Sequence, residues 1–279
     1  MAEPNKPHYY NSKTPMDGFI QTFQSFLSSR DIIRLLVKRD LTSRYRRSFF
    51  GIIWTLLNPI FFGLVLWVVF VSIFKSSLSN GTQFGPYVLA GVLTITFFNQ
   101  GVLQAAESIS NGRGLFLKVR IDPVLVVIAN TISNLVNFFL GIFALGIVTF
   151  VSKADFSIAI PGVFILGIFL ALLISGIGMM LGNLFVKFDD LKNIITVTLQ
   201  ILTYLTPIFY PKEILDEKIR LIVNLNPLTS FLDGFRFLFN GTEIVSFNDW
   251  IYIFVSSLMA FSLGLYFFRK TWAKTVVMM

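Results

Sequence analysis

Arg44, Arg46 and Arg47 crowd the end of a basic stretch, RDIIRLLVKRDLTSRYRR over residues 30–47, that runs straight into a long apolar segment. A guanidinium fork pairs with phosphate oxygens through parallel hydrogen bonds. Three such groups at a membrane surface therefore suit capture of a phosphate-bearing ligand. The same charges also suit ordinary contact with anionic headgroups and control of insertion, and the residues alone leave both readings open. Acid–base chemistry has a single candidate pair, Asp233 with Arg236, inside a short apolar stretch. His8 is the only histidine and cysteine is absent. A metal centre, a thiol nucleophile, a histidine-based site and a disulfide framework are thus not expected. No G-x-x-x-x-G-K-[ST] phosphate loop occurs, so ATP hydrolysis by that route is not expected of this chain.

The elements that must position these residues are membrane helices. Of the 279 residues, 54% are hydrophobic, gathered in long runs with the charges pushed between them. Runs of about eighteen or more apolar residues with few charges read as membrane-spanning helices. Six are expected, at about 51–74, 85–106, 123–151, 159–186, 193–210 and 250–268, with Pro59 kinking the first. Residues 1–50 form a cytoplasmic tail, with a short helix over 17–28, followed by an interfacial helix; residues 51–279 form the transmembrane domain. In the interfacial helix Ile33, Val37, Leu41 and Tyr45 recur every four residues on one face. Asp40 and Arg44 fall close to that face and blur its amphipathicity. Residues 1–30 lack the apolar core and small-residue cleavage site of a signal peptide.

With the N-terminus inside, 17 of the 23 Lys and Arg residues lie on cytoplasmic segments, so both termini are read as cytoplasmic. The net charge of +8 follows from that bias, and no nucleic-acid partner is expected. Outside, residues 211–249 hold an amphipathic stretch, KEILDEKIRLIVNLNP, and then LTSFLDGFRFLFNG. The latter is too short to span and reads either as a re-entrant or interfacial segment or as a folded outer loop. The six spans carry no ionisable residue in their central parts, where ion-coupled transporters keep theirs. Active transport would then draw its energy from a partner.

The stretch LLVKRDLTSRYRRSFFGIIWTLLNP at 35–59 resembles the membrane subunit of type-2 ATP-binding-cassette exporters of O-antigen, teichoic acid and capsular polysaccharide. The residues that carry the resemblance are Arg39, Asp40 and Leu41, then Tyr45, Arg46 and Ser48, then Gly51 and Trp54, and finally Asn58 and Pro59. Phe50 stands where that family usually has leucine. SISNGRGLFLKVRID (108–122) is similar to the family's cytoplasmic loop between spans two and three. LTPIFYP (205–211) and LNPLTSFLDGFRFLFNG (225–241) are similar to its fifth span and outer re-entrant region.

The resemblance implies an all-α integral protein of the bacterial cytoplasmic (inner) membrane. It would act as a homodimer with two ATP-binding subunits that hold ATP and Mg, and would move a lipid-linked polysaccharide outward. It assigns loop 105–122 to ATPase docking, so Arg113, Lys118 and Arg120 are either ATPase contacts or plain positive-inside charge. Arg44, Arg46 and Arg47 would meet the lipid pyrophosphate or membrane lipid headgroups. Sugars lay their apolar CH faces on aromatic rings, so Trp54, Phe61, Phe62, Phe70, Tyr204 and Phe209 are candidates to line the conduit. Each could equally face lipid or pack between helices. The other readings are an exporter of a drug or small lipid, an ion-driven flippase, and a membrane-bound transferase relying on Asp233 and Arg236.

Overall fold

The computed structural model describes residues 29–46, 84–116, 121–188, 190–210, 212–241 and 245–276, with short pieces of 50–65 and 118–119. The described residues form helices joined by turns and contain no strand. In chain order they are α1 Arg30–Tyr45, α2 Phe84–Asn111, α3 Pro123–Val151, α4 Gly162–Phe185, α5 Leu191–Leu205, α6 Glu217–Leu225, α7 Pro227–Asn240 and α8 Phe247–Val276. A 3-10 turn at Gly51–Ile53 precedes the described pieces of the first expected span, and a single helical turn, Arg113–Phe116, joins α2 to α3.

Four helices, over Gly85–Asn111, Pro123–Val151, Gly162–Phe185 and Phe247–Val276, are long and apolar enough to cross a membrane. At ~1.5 Å per residue, each exceeds a hydrocarbon core of ~30 Å. Most of the first expected span, including Pro59 and Phe70, lies outside the described residues, as does the expected helix at 17–28. The fifth expected span forms a helix of only 15 residues, about 22 Å long. Pro207 ends it. A proline ring pushes the residue before it out of the helical region, and Thr206 is extended at φ −86, ψ 134.

Local chemistry fixes several other ends. Asp122 caps α3 by accepting from the Val124 backbone N–H at 3.1 Å, with Pro123 at the first helical position. Asn226 and Pro227 repeat the device at α7, and Gly241 closes that helix in the left-handed conformation at φ 68.

The core is a bundle in which α4 lies between α8 and α2, and α3 packs on α2. Small residues make these approaches possible. A Cβ on Gly264 of α8 would stand 2.1 Å from the Gly176 carbonyl oxygen of α4, and one on Gly178 would stand 2.5 Å from the Ala105 Cβ of α2. Asn183 of α4 then donates to the Phe268 carbonyl at 3.0 Å and the Thr271 hydroxyl at 2.6 Å, tying α4 to α8. Helix α7 sits within the bundle, almost every side chain buried, against α2, α4 and α8. Its Phe235 meets Phe138 of α3 edge-on, and Phe138 stacks on Phe97 of α2 at 4.6 Å. Helix α6 buries only Val223.

Helix α1 packs on the start of α3. Ile33 and Leu36 join Leu125, Val126 and Ala129 in one apolar cluster. The helix is therefore held by the protein as well as suited to a membrane surface. Of the residues that blur its amphipathic pattern, Arg44 meets polar partners on α2 and α3, and Asp40 pairs with Arg44.

Candidate functional site

Asp40 and Arg44 lie one turn apart on the packed face of α1. Neighbouring helix residues at this spacing pair readily, and the Arg44 Nε donates to Asp40 Oδ2 at 3.0 Å while Nη2 stands 2.8 Å from the same oxygen. The guanidinium also reaches two other helices. Its Nη1 donates to Asn134 Oδ1 of α3 at 3.0 Å and its Nη2 to Gln104 Oε1 of α2 at 2.5 Å. The next residue, Tyr45, donates its hydroxyl to Asn137 Oδ1 at 2.9 Å. Arg44 thus joins three helices through one carboxylate and two carboxamides. Arg46 is exposed beyond the end of α1, and Arg47 lies outside the described residues.

Two cavities meet at Arg44. One, of about 310 Å³, is bounded by α1, α2 and α3 and lined by Arg39, Asp40, Glu107, Asn111 and Asn130 among others. Glu107 is paired with Lys192 of α5 at 2.7 Å. The other, of about 830 Å³, lies between the first-span segment and α2 and α3. Trp54, Phe61 and Phe62 line it from the first-span segment, together with the carboxamide of Asn58. Phe97 and Phe138 contribute further rings, and Thr96, Gln100, Asn134 and Asn137 contribute polar groups. Three of the expected conduit aromatics and Arg44 therefore share one cavity.

Tyr204 and Phe209 lie elsewhere. Tyr204 is 76% exposed on α5, whereas Phe209 packs against the central apolar core. A fully buried phenylalanine costs about 3–5 kcal/mol when cut to alanine. Phe209 is partly buried, so Phe209→Ala should lower the unfolding temperature of the purified chain, while Tyr204→Ala should leave it unchanged. Equal unfolding temperatures for the two variants would remove Phe209 from the core.

The carboxamides were not among the expected site residues. Their signal is present in the chain. Thr96, Gln100 and Gln104 of α2, and Asn130, Asn134 and Asn137 of α3, recur at three- and four-residue spacing within otherwise apolar helices. A search for charge alone passes over them.

Arg113 and Lys118 are exposed at the α2–α3 connection, and Arg120 lies outside the described residues. The connection is anchored by Phe116, whose ring meets Trp272 of α8 edge-on at 5.4 Å, while Trp272 stacks on Phe268 at 5.3 Å. Both charges thus stand on a turn pinned to the bundle.

Asp233 and Arg236 hold structure together. Arg236 is 1% exposed and donates to the backbone carbonyls of Tyr87, Pro207 and Ile208 at 3.4, 3.1 and 2.9 Å. Its guanidinium carbon lies 3.4 Å from the centre of the Tyr87 ring. Asp233 accepts from Lys212. Helix α7 is not of spanning length, and burial there raises the Asp233 carboxyl above its ordinary range, against the pull of Lys212 and Arg236.

The family described as ABC-2 type transporter matches residues 32–240 of the chain. The O-antigen export system permease protein RfbA of Myxococcus xanthus is 29% identical over 225 residues, which cover 79% of this chain and 84% of that protein. Two proteins of the same name from Klebsiella pneumoniae are each 23% identical over 242 residues, covering 86% of this chain and 92% of theirs.

Proposed function

The chain belongs to the ABC-2 type transporter family and is a multi-pass membrane protein, and from that membership we propose that it is the membrane subunit of an ATP-driven exporter of a lipid-linked polysaccharide. In this reading two copies enclose the conduit in the bacterial cytoplasmic membrane, with both termini on the cytoplasmic side. Two separate ATP-binding subunits hold ATP and Mg and supply the energy. The observation that carries the reading is the family match over 32–240, joined by similarity to O-antigen export permeases along most of the chain. The lack of a phosphate loop in the sequence agrees with an energy source in a partner.

The conduit residues proposed are Trp54, Phe61, Phe62 and Phe70 on the first span, and Tyr204 and Phe209 on and after the fifth. Arg46 and Arg47 would meet the lipid pyrophosphate or the headgroups. Arg44 would order the site, because its guanidinium already bonds to three side chains. Helices α6 and α7 would form the re-entrant region on the outer side.

The test is surface polymer in a strain lacking this chain. The expected result is loss of surface polymer with lipid-linked polymer retained inside, both restored by the wild-type chain. Unaltered surface polymer overturns the reading and favours a drug or a small lipid as cargo. Coupling is tested separately. Reversing charge with Arg113→Glu and Lys118→Glu together is expected to cut recovery of the ATP-binding partner, or ATP-dependent export, by about tenfold. That loss would correspond to about 1.4 kcal/mol. The variant chain should fold normally, since both side chains are exposed. Unchanged partner recovery and export would remove the turn from the docking surface.

A further inference from the structure

We propose that α8 carries ATP-driven movement of the Arg113–Phe116 turn to the outer helices α6 and α7, with Trp272 and Tyr252 as the positioning residues at its two ends. The proposal rests on the reading of that turn as the ATPase docking element.

At its inner end α8 is fastened to the turn through side chains. The Phe116 ring meets Trp272 edge-on at 5.4 Å. Both pack with Val186, at the end of α4, against the buried Phe268. One helical turn before Trp272, the Arg269 Nη2 stands 3.7 Å from Oδ2 of Asp122, the residue that caps α3. A shift of the turn therefore reaches the end of α8 through a ring contact and an ion pair together.

At its outer end α8 holds the two outer helices. The Tyr252 hydroxyl donates to the carbonyl of Leu225, the last residue of α6, at 2.7 Å. Trp250 meets Phe237 of α7 edge-on at 6.3 Å. Helix α6 buries only Val223, so little packing opposes a pull from Tyr252.

Between these ends α8 is a rod. Its 30 residues include no proline, the usual cause of a sharp kink. Gly264 lies about 12 Å along the axis from Trp272 and about 18 Å from Tyr252. There the backbones of α8 and α4 nearly touch, since a Cβ on Gly264 would stand 2.7 Å from the Gly176 Cα. This crossing is the fulcrum, and the longer outer arm enlarges a small displacement at the turn. Val255, Met259 and Leu263 on the other face are exposed among the described residues, so no packed side chain there opposes a tilt. Trp272 and Tyr252 are about 30 Å apart. Residues that distant act independently unless an element with two arrangements joins them.

The experiment uses the full chain in nanodiscs, recovered with its ATP-binding subunits. The chain has no cysteine, so Leu221→Cys on the exposed side of α6 is a clean reporter. Its rate of labelling by a polar maleimide is followed on this chain's own band, with and without ATP and Mg. That rate is expected to change about fivefold with ATP in the otherwise wild-type chain. Trp272→Ala and Tyr252→Phe should each abolish the difference while the partner is still recovered and still hydrolyses ATP. Trp272→Phe, which keeps a ring against Phe116, should preserve it. Plain loosening of α6 would raise labelling equally with and without ATP, and that result in Tyr252→Phe overturns the proposal. If Trp272→Ala loses the partner or fails to fold, Tyr252→Phe decides, since it removes one hydroxyl at the end far from the turn. An ATP response that survives in Tyr252→Phe overturns the lever and leaves the export reading intact. So does a reporter that ignores ATP while the partner is bound. Recovery of no ATP-binding subunit with the wild-type chain overturns the export reading and the lever alike.

Discussion

Gly264→Val is expected to destabilise the folded bundle severely. A Cβ at this position would stand 2.1 Å from the Gly176 carbonyl oxygen and 2.7 Å from the Gly176 Cα. These are backbone atoms, so no rotamer change relieves the clash. Helices α4 and α8, the most extensively paired among the described residues, must instead move apart. Separation also pulls Asn183 away from Phe268 and Thr271. Overpacking in a side-chain core costs about 1–3 kcal/mol, occasionally more. A backbone collision adds the lost hydrogen bonds to that, so we expect at least about 3 kcal/mol, on the order of a hundredfold in folded population. Gly146→Ala on α3 is the control. It opens into free space, and alanine favours a helix over glycine by about 1 kcal/mol. The measurement is monodisperse yield and unfolding temperature in detergent. A wild-type unfolding temperature for Gly264→Val would show that the helices do not cross there.

Arg236→Leu should be nearly as severe. The proline that ends α5 leaves the carbonyls of Pro207 and Ile208 outside any helix, and the Arg236 guanidinium caps both along with that of Tyr87. Each buried carbonyl left without a donor costs about 1–3 kcal/mol. The stacked contact with Tyr87 is lost as well. The expected loss is about 3–5 kcal/mol, the scale seen when one partner of a buried ionic network is removed. Arg236→Lys should fall between, because a single ammonium cannot reproduce a planar fork reaching three carbonyls. Limited proteolysis gives a local readout. In Arg236→Leu, cleavage should rise first across residues 205–216, where the staple is lost. Unchanged protection of that segment would mean the carbonyls find other donors.

These two positions also mark the boundary between what reads locally and what does not. The third helix was expected at 123–151 and forms at Pro123–Val151, because its start is set by adjacent residues, Asp122 and Pro123, and its body by an apolar run. Helices α2 and α8 run past the expected ends, since a hydropathy window stops at the first polar turns whereas the backbone hydrogen bonding continues through Asn111 and Val276. The fifth fell short for a reason also visible in the chain, Pro207. The aromatic half of the cavity was legible from Trp54, Phe61 and Phe62. The amide half was present as polar residues at three- and four-residue spacing on α2 and α3, but which neighbour each one faces was not legible.

The sequence by itself determined the helical membrane character, the places where apolar segments lie, the caps at α3 and α7, the basic helix α1, and the want of a phosphate loop. Each depends on residues within a few positions of one another, so hydropathy, capping and proline geometry suffice. Only the tertiary structure decided that Arg44 bonds to Gln104 and Asn134, that Arg236 caps carbonyls at 87, 207 and 208, and that Gly176 meets Gly264. The partners in each case lie far apart in the chain. Which of them meet depends on how the helices cross and rotate against each other, and that is set by the packing of the whole bundle.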